Sequence, residues 1–216
     1  MKKFVLLICC FIIVPLTAGE LTFNVSMPSI KSQKTRDAGR EASGYAQISV
    51  PKYSIFPTPG LPSVPYRVVR VLIPPTASVA ELMVEKRDSA ISRLSSPLLP
   101  VQEPVPISRI DEAEFTEPNE EIYSSNKPFP GYISEDLGVG EMSGFRIAQI
   151  ALYPVQYIPA ENKLISYSLN VRLRYKERKV KAKKMTEKQY EIFKRMVEDL
   201  VDNPEAVDAY QSVIRR

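Results

Sequence analysis

A chain of 216 residues without a single histidine has few routes to catalysis. Its only cysteines, Cys9 and Cys10, lie inside an apolar run at the N-terminus. A Ser-His-Asp triad, a Cys-His dyad and an ordinary zinc site are therefore out of reach. No serine nucleophile elbow is present. What remains is carboxylate, lysine, tyrosine and serine chemistry. The carboxylates gather in one place: Asp111, Glu112, Glu114, Glu117, Glu120 and Glu121 stand behind one base, Arg109, in the apolar-poor stretch 107–125. The EF-hand order of ligands and its glycine are missing there. Spacing alone does not set two carboxylates at the separation that glycoside hydrolysis requires. A solvated surface loop is the plain reading of such a charge run, with Arg109 as an ordinary solvated arginine. The glycines of 138–144 lack dinucleotide-binding spacing and precede an apolar β pattern, so they read as a turn.

The basic residues mark places where a chain is handled. Lys2 and Lys3 precede the apolar run Phe4 to Leu16, and Thr17-Ala18-Gly19 supplies small residues. That order predicts a secretory signal over 1–19, cleaved after Gly19, with export to the periplasm or the extracellular space. The run is short for a bilayer span, which disfavours a retained anchor. Cleavage would remove both cysteines, along with Lys2 and Lys3, lowering the formal charge from +4 to +2. A second cluster, Lys176, Arg178, Lys179, Lys181, Lys183 and Lys184, lacks the interleaved aromatics of a nucleic-acid site. It reads as an exposed linker over 177–185, open to cleavage at Lys184. The pair Arg215-Arg216 directly follows a helical pattern and resembles a processing boundary.

The elements that must carry these residues are mostly strands. Ile165, Tyr167, Leu169, Val171, Leu173 and Tyr175 alternate with Ser166, Ser168, Asn170, Arg172 and Arg174, the period of a half-buried strand. Phe145 to Tyr153 is apolar on both faces, as in a central strand. With the polar turn 159–163 the two are expected to form the longest hairpin of the molecule. Further strands are expected over 21–27, 45–50, 66–73 and 79–86, with another over 90–94 after a turn at Arg87-Asp88-Ser89. The proline-dense segment 56–65 cannot be a central strand, and 95–106 is again proline-rich and extended. Thr186 and Gln189 have capping-box spacing ahead of an apolar stripe of Tyr190, Phe193, Val197, Leu200 and Val201. A short second helix follows from Glu205. Strands first and a helix last predict a mainly β protein: an antiparallel sandwich over 20–176, with a helical extension over 186–216.

Several stretches, in this order, resemble the N-terminal prodomain of the gingipain-type cysteine peptidases. They are Pro59-Gly60-Leu61-Pro62, the strand Tyr66 to Ile73 with Pro74-Pro75, Val84-Glu85, and Ser96-Pro97-Leu98-Leu99-Pro100. Ile107-Ser108-Arg109, Tyr123 with Pro128-Phe129-Pro130-Gly131, and Arg146 to Val171 around Tyr153-Pro154-Val155-Gln156-Tyr157-Ile158-Pro159 complete the series. The family carries Asn where Ile158 stands here. The resemblance spans roughly 45–175. It implies a jelly-roll-like β-sandwich without catalytic activity or cofactor, which assists folding of a cysteine peptidase domain and keeps it latent. It also implies that Arg109 enters the peptidase's specificity pocket, and that Lys184, Arg215 and Arg216 are where processing after basic residues ends the tether. The expected partner is the peptidase catalytic domain, in cis or in trans, with neither nucleic acid nor, after signal cleavage, membrane involved. An exported structural or adhesive β-sandwich is the alternative.

Overall fold

The computed structural model describes residues 18–34, 44–178 and 181–215. Ten strands run in chain order: β1 (Ala18–Val25), β2 (Lys31–Lys34), β3 (Ala46–Ser49), β4 (Ser54–Ile55), β5 (Pro65–Ile73), β6 (Ala77–Arg93), β7 (Ser134–Met142), β8 (Phe145–Leu152), β9 (Val155–Ile158) and β10 (Lys163–Glu177). Two four-stranded antiparallel sheets form the sandwich. One has the order β4-β5-β8-β7; the other has β1-β10-β6, with β9 also on β10. β2 and β3 make a separate small ribbon. The alternation in β10 does what its period requires: Tyr167, Leu169, Val171 and Leu173 are buried against Val69, Val71 and Ile73 of β5 and Ala148, Ile150 and Leu152 of β8. Each such aliphatic side chain contributes about 1.5–3 kcal/mol by leaving water. The fold is therefore the expected mainly β antiparallel sandwich.

Three expected local features turn out differently. Phe145–Leu152 and Lys163–Glu177 are not the two arms of one hairpin; they are central strands of opposite sheets. Pro154, which has no N–H to extend a ladder, marks where the chain leaves one sheet for the other. The hairpin partner of β10 across the 159–162 turn is the short β9. Arg87-Asp88-Ser89 is not a turn, because β6 continues through it and pairs with β10 from Ala77 to Arg93. The polar residues there form a bulge, where the Asp88 N–H donates to Ser168 Oγ (3.1 Å) and Ser168 donates to the Asp88 carboxylate (2.7 Å). Gly138 and Gly140 belong to β7, and the turn itself is only Ser143-Gly144. Both turn residues have positive φ (50° and 97°), as a two-residue hairpin loop demands, and glycine meets that demand at least cost.

Two helices are regular: α1 (Glu120–Tyr123) and α2 (Glu187–Leu200). Thr186 and Gln189 form the expected capping box at the start of α2. A 3-10 helix over Pro204–Val213 follows. Tyr190, Val197, Val201, Val207, Tyr210 and Val213 are buried against Leu72, Phe145 and Ile147, on the outer face of β5 and β8. Leu200, expected in the apolar stripe, is exposed. Between the helices, Asp202 and Asn203 bind the otherwise open edge of β5. The Asp202 N–H donates to Arg70 O (2.8 Å), and its carboxylate accepts from Arg70 N (2.9 Å) and also pairs with Arg67. The Asn203 amide accepts from Leu72 N (2.7 Å) and donates to Leu72 O (2.9 Å). These bonds occupy backbone groups that would otherwise template pairing with another strand.

Candidate functional site

The acidic stretch is not structureless. Its neck is fastened to the end of the sandwich by backbone bonds: Val101 N–H to Leu61 O (2.8 Å), Gly60 N–H to Val101 O (2.8 Å) and Asn119 N–H to Gly60 O (2.9 Å). Gly60 has φ of 78°, and a Cβ there would lie 3.2 Å from Glu117 O, so the close approach of the loop's returning arm to residue 60 depends on glycine. One step outward, the side chains of Gln102 and Thr116 clasp the arms. Gln102 accepts from Thr116 N (2.9 Å) and donates to Pro100 O (2.9 Å) and Thr116 O (3.3 Å). The Thr116 hydroxyl accepts from Glu103 N (2.9 Å). The rings of Tyr45 and Phe115 lie 5.8 Å apart beside this clasp.

Beyond the clasp the loop stands away from the body. Its tip is 3-10 structure over Ile107–Glu112, kinked at Arg109 (φ −129°, ψ 25°), with no buried residue. Arg109 N–H closes onto Pro106 O (2.9 Å) and Ala113 N–H onto Ile110 O (3.2 Å). The Arg109 side chain is 63% exposed, and its guanidinium meets the Glu112 carboxylate through Nε (2.9 Å) and Nη2 (2.7 Å). Two of the acids have a local role: Glu120 and Glu121 open α1, where negative charge suits the helix dipole and Asn119 accepts from Ile122 N (3.0 Å). Among the described residues no group of three or more acids comes together as a metal site.

The other sequence-derived residues fall elsewhere. Gly19 lies within β1 opposite Tyr175, whose ring occupies the space a Cβ would need. Lys184 is exposed directly before the buried Met185. Met185 N–H donates to Val213 O (3.2 Å), and its carbonyl accepts from Arg215 N (2.8 Å). The Met185–Ile214 bridge thus brings the Lys184 and Arg215 segments side by side, and Arg215 is exposed. Arg216 and residues 1–17 of the expected signal lie outside the described residues. No helix among the described residues is long and apolar enough to cross a membrane. The Gln102–Thr116 clasp escaped the sequence reading. Two polar residues fourteen positions apart in a polar stretch carry no period that would single them out.

The described residues form a β-sandwich that carries a clasped loop with Arg109 at its tip. A model of the family Propeptide_C25 matches residues 18–214. No curated protein matches the chain. Among solved structures, the complex of Porphyromonas gingivalis RgpB pro- and mature domains superposes with a TM-score of 0.61 at 14% identity, covering 88% of this chain and 92% of that one. A structure addressing zymogenic latency of gingipain K from Porphyromonas gingivalis superposes with a TM-score of 0.58 at 17% identity, covering 74% of this chain and 100% of that one. At these identities the likeness is one of fold.

Proposed function

Because the chain belongs to the C25 propeptide family, we propose that it is the latency-keeping inhibitor and folding assistant of a secreted gingipain-type cysteine peptidase, with Arg109 as the plug. The observation that carries this reading is the Arg109 tip: the one basic residue of a loop fastened at its neck, exposed and paired only with Glu112 of the same turn. A guanidinium presented this way suits a pocket that binds a basic side chain through a carboxylate. The turn closed by Pro106 and Ile110 carbonyls keeps Arg109 out of the extended shape in which peptidases take substrates, so the loop fills the pocket and is cut slowly.

Tethering and mass action supply the rest. A body that binds only the native peptidase stabilises it in proportion to occupancy. A covalent link raises the effective concentration to about millimolar when it is short and flexible. Export behind residues 1–19, with cleavage after Gly19, would leave β1 starting at Glu20. Cleavage after Lys184, Arg215 or Arg216 would end the tether. The packing of Tyr190, Val197, Val207 and Tyr210 on β5 and β8 keeps the helical segment docked after a cut at Lys184. On this reading, release would follow from a cut at the Arg215-Arg216 end.

The test is a titration of an activated gingipain-type peptidase from the source organism with the purified chain, parent against Arg109→Ala. Stoichiometric inhibition by the parent is expected, with the inhibition constant raised at least about thirtyfold in the variant, the usual cost of removing a desolvated charge partner. Equal inhibition by both would remove Arg109 from the role. No inhibition by either would leave the structural or adhesive sandwich as the better reading.

A further inference from the structure

The tip that carries Arg109 also carries two exposed isoleucines. Ile107 is 91% exposed and Ile110 60%, and both belong to the same turn of six residues. Arg109 lies between them at a kink in the turn (φ −129°, ψ 25°), and its guanidinium pairs with Glu112. The turn thus offers water an apolar pair on either side of a cation. Isoleucines this exposed do not serve the hydrophobic core, since no core cluster includes either residue. Nor is the exposure a product of a loose loop. The Gln102–Thr116 clasp and the Pro106–Arg109 bond hold the turn in shape.

We propose that Ile107 and Ile110 are recognition residues of the plug, seated on an apolar ledge of the peptidase domain that borders its cation pocket. This rests on the reading of Arg109 as the plug. The occupant follows from continuity: any pocket that receives Arg109 meets both flanking isoleucines, because the turn separates them by only one or two residues. It follows also from chemistry. Arg109 is already engaged by Glu112 in the free chain, so the exchange of one carboxylate for another yields little net affinity. Apolar burial beside the pocket supplies what the ionic exchange does not, and it excludes water from the ion pair.

The experiment measures inhibition and its rates for Ile107→Ser, Ile110→Ser and a distant control, Ile91→Ser, whose side chain is exposed on β6. Each tip variant should weaken inhibition about tenfold or more, the equivalent of burying one isoleucine. The loss should fall on the dissociation rate, leaving the association rate and the melting midpoint unchanged. The control should inhibit like the parent. Tip variants as potent as the parent, beside an Arg109→Ala variant that fails, would overturn the proposal and spare the reading of Arg109. Self-association of the chain that is abolished by Ile107→Ser, with inhibition intact, would overturn it in favour of a second copy as the occupant. A parent chain that inhibits no peptidase of the family would overturn both.

Discussion

Two tyrosines of the helical segment make a controlled experiment. The Tyr210 hydroxyl donates to Ile73 O (2.6 Å) and accepts from Arg146 N (2.9 Å), bridging β5 and β8 at the last pair of their register. Its ring lies 4.7 Å from that of Phe145, a contact that phenylalanine preserves. The Tyr190 hydroxyl is equally buried and has no hydrogen-bond partner. Tyr210→Phe removes two bonds, leaving one buried and one part-buried backbone group without them, at about 1–2 kcal/mol each, or about 2–4 kcal/mol in total. Tyr190→Phe removes a desolvated hydroxyl that gains nothing from burial and is expected to be neutral or stabilising by about 1 kcal/mol. Urea titration reads both as shifts of midpoint at constant slope. By heat, the Tyr210 variant should melt about 5–15 °C lower. Equal losses in the two variants, or a greater loss for Tyr190→Phe, would refute the claim that this hydroxyl fastens residues 204–213 to the sandwich.

Glu112→Gln frees the Arg109 guanidinium from its intramolecular partner and should tighten inhibition about twofold to fivefold, the scale of one exposed ion pair, read as a lower inhibition constant. A weaker inhibitor would show instead that Glu112 serves by holding the turn. Stability against pH should be nearly flat through neutrality, because no histidine is present to titrate. It should then fall in alkali. Burial pushes the Tyr210 phenol up to about 12, and raises Tyr123 and Tyr153 as well. Their contribution is complete below the ordinary phenol value near 10 and is lost as pH rises from there through the folded values. Denaturation midpoints measured from pH 6 to 12 check this, and unchanged stability at pH 11 would contradict it.

Legibility from sequence followed the range of the forces involved. The β10 alternation, the β5 face of Val69, Val71 and Ile73, and the Thr186–Gln189 box were all readable, because each is a local pattern answering a local requirement. The partner of β10 was not readable. A polar turn between two apolar segments signals a hairpin, and only the position of Pro154 separates that outcome from a change of sheet. Arg87-Asp88-Ser89 has turn composition, but fourteen pairings of β6 with β10 outweigh it and compress it into a bulge. Arg109 could be found as the one base ahead of the acids. Its salt bridge to Glu112 and the clasp below it depend on how two polar arms meet, and composition does not record that. The exposure of Ile107 is likewise invisible in a string, where an isoleucine reads as core.

β10 imposes an order of events on the chain. β1, β6 and β9 all pair with it, and β1 waits for a partner roughly 150 positions further on, as the Glu20–Arg174 bond shows. On a chain emerging N-terminus first, none of these three strands has its neighbour until residue 163 and beyond is available. The edge of β5 stays open longer still, until Asp202 and Asn203 arrive. Such long-range pairing makes folding slow, and it leaves the first 160 residues as an unfinished sheet whose completion is triggered from the C-terminal end.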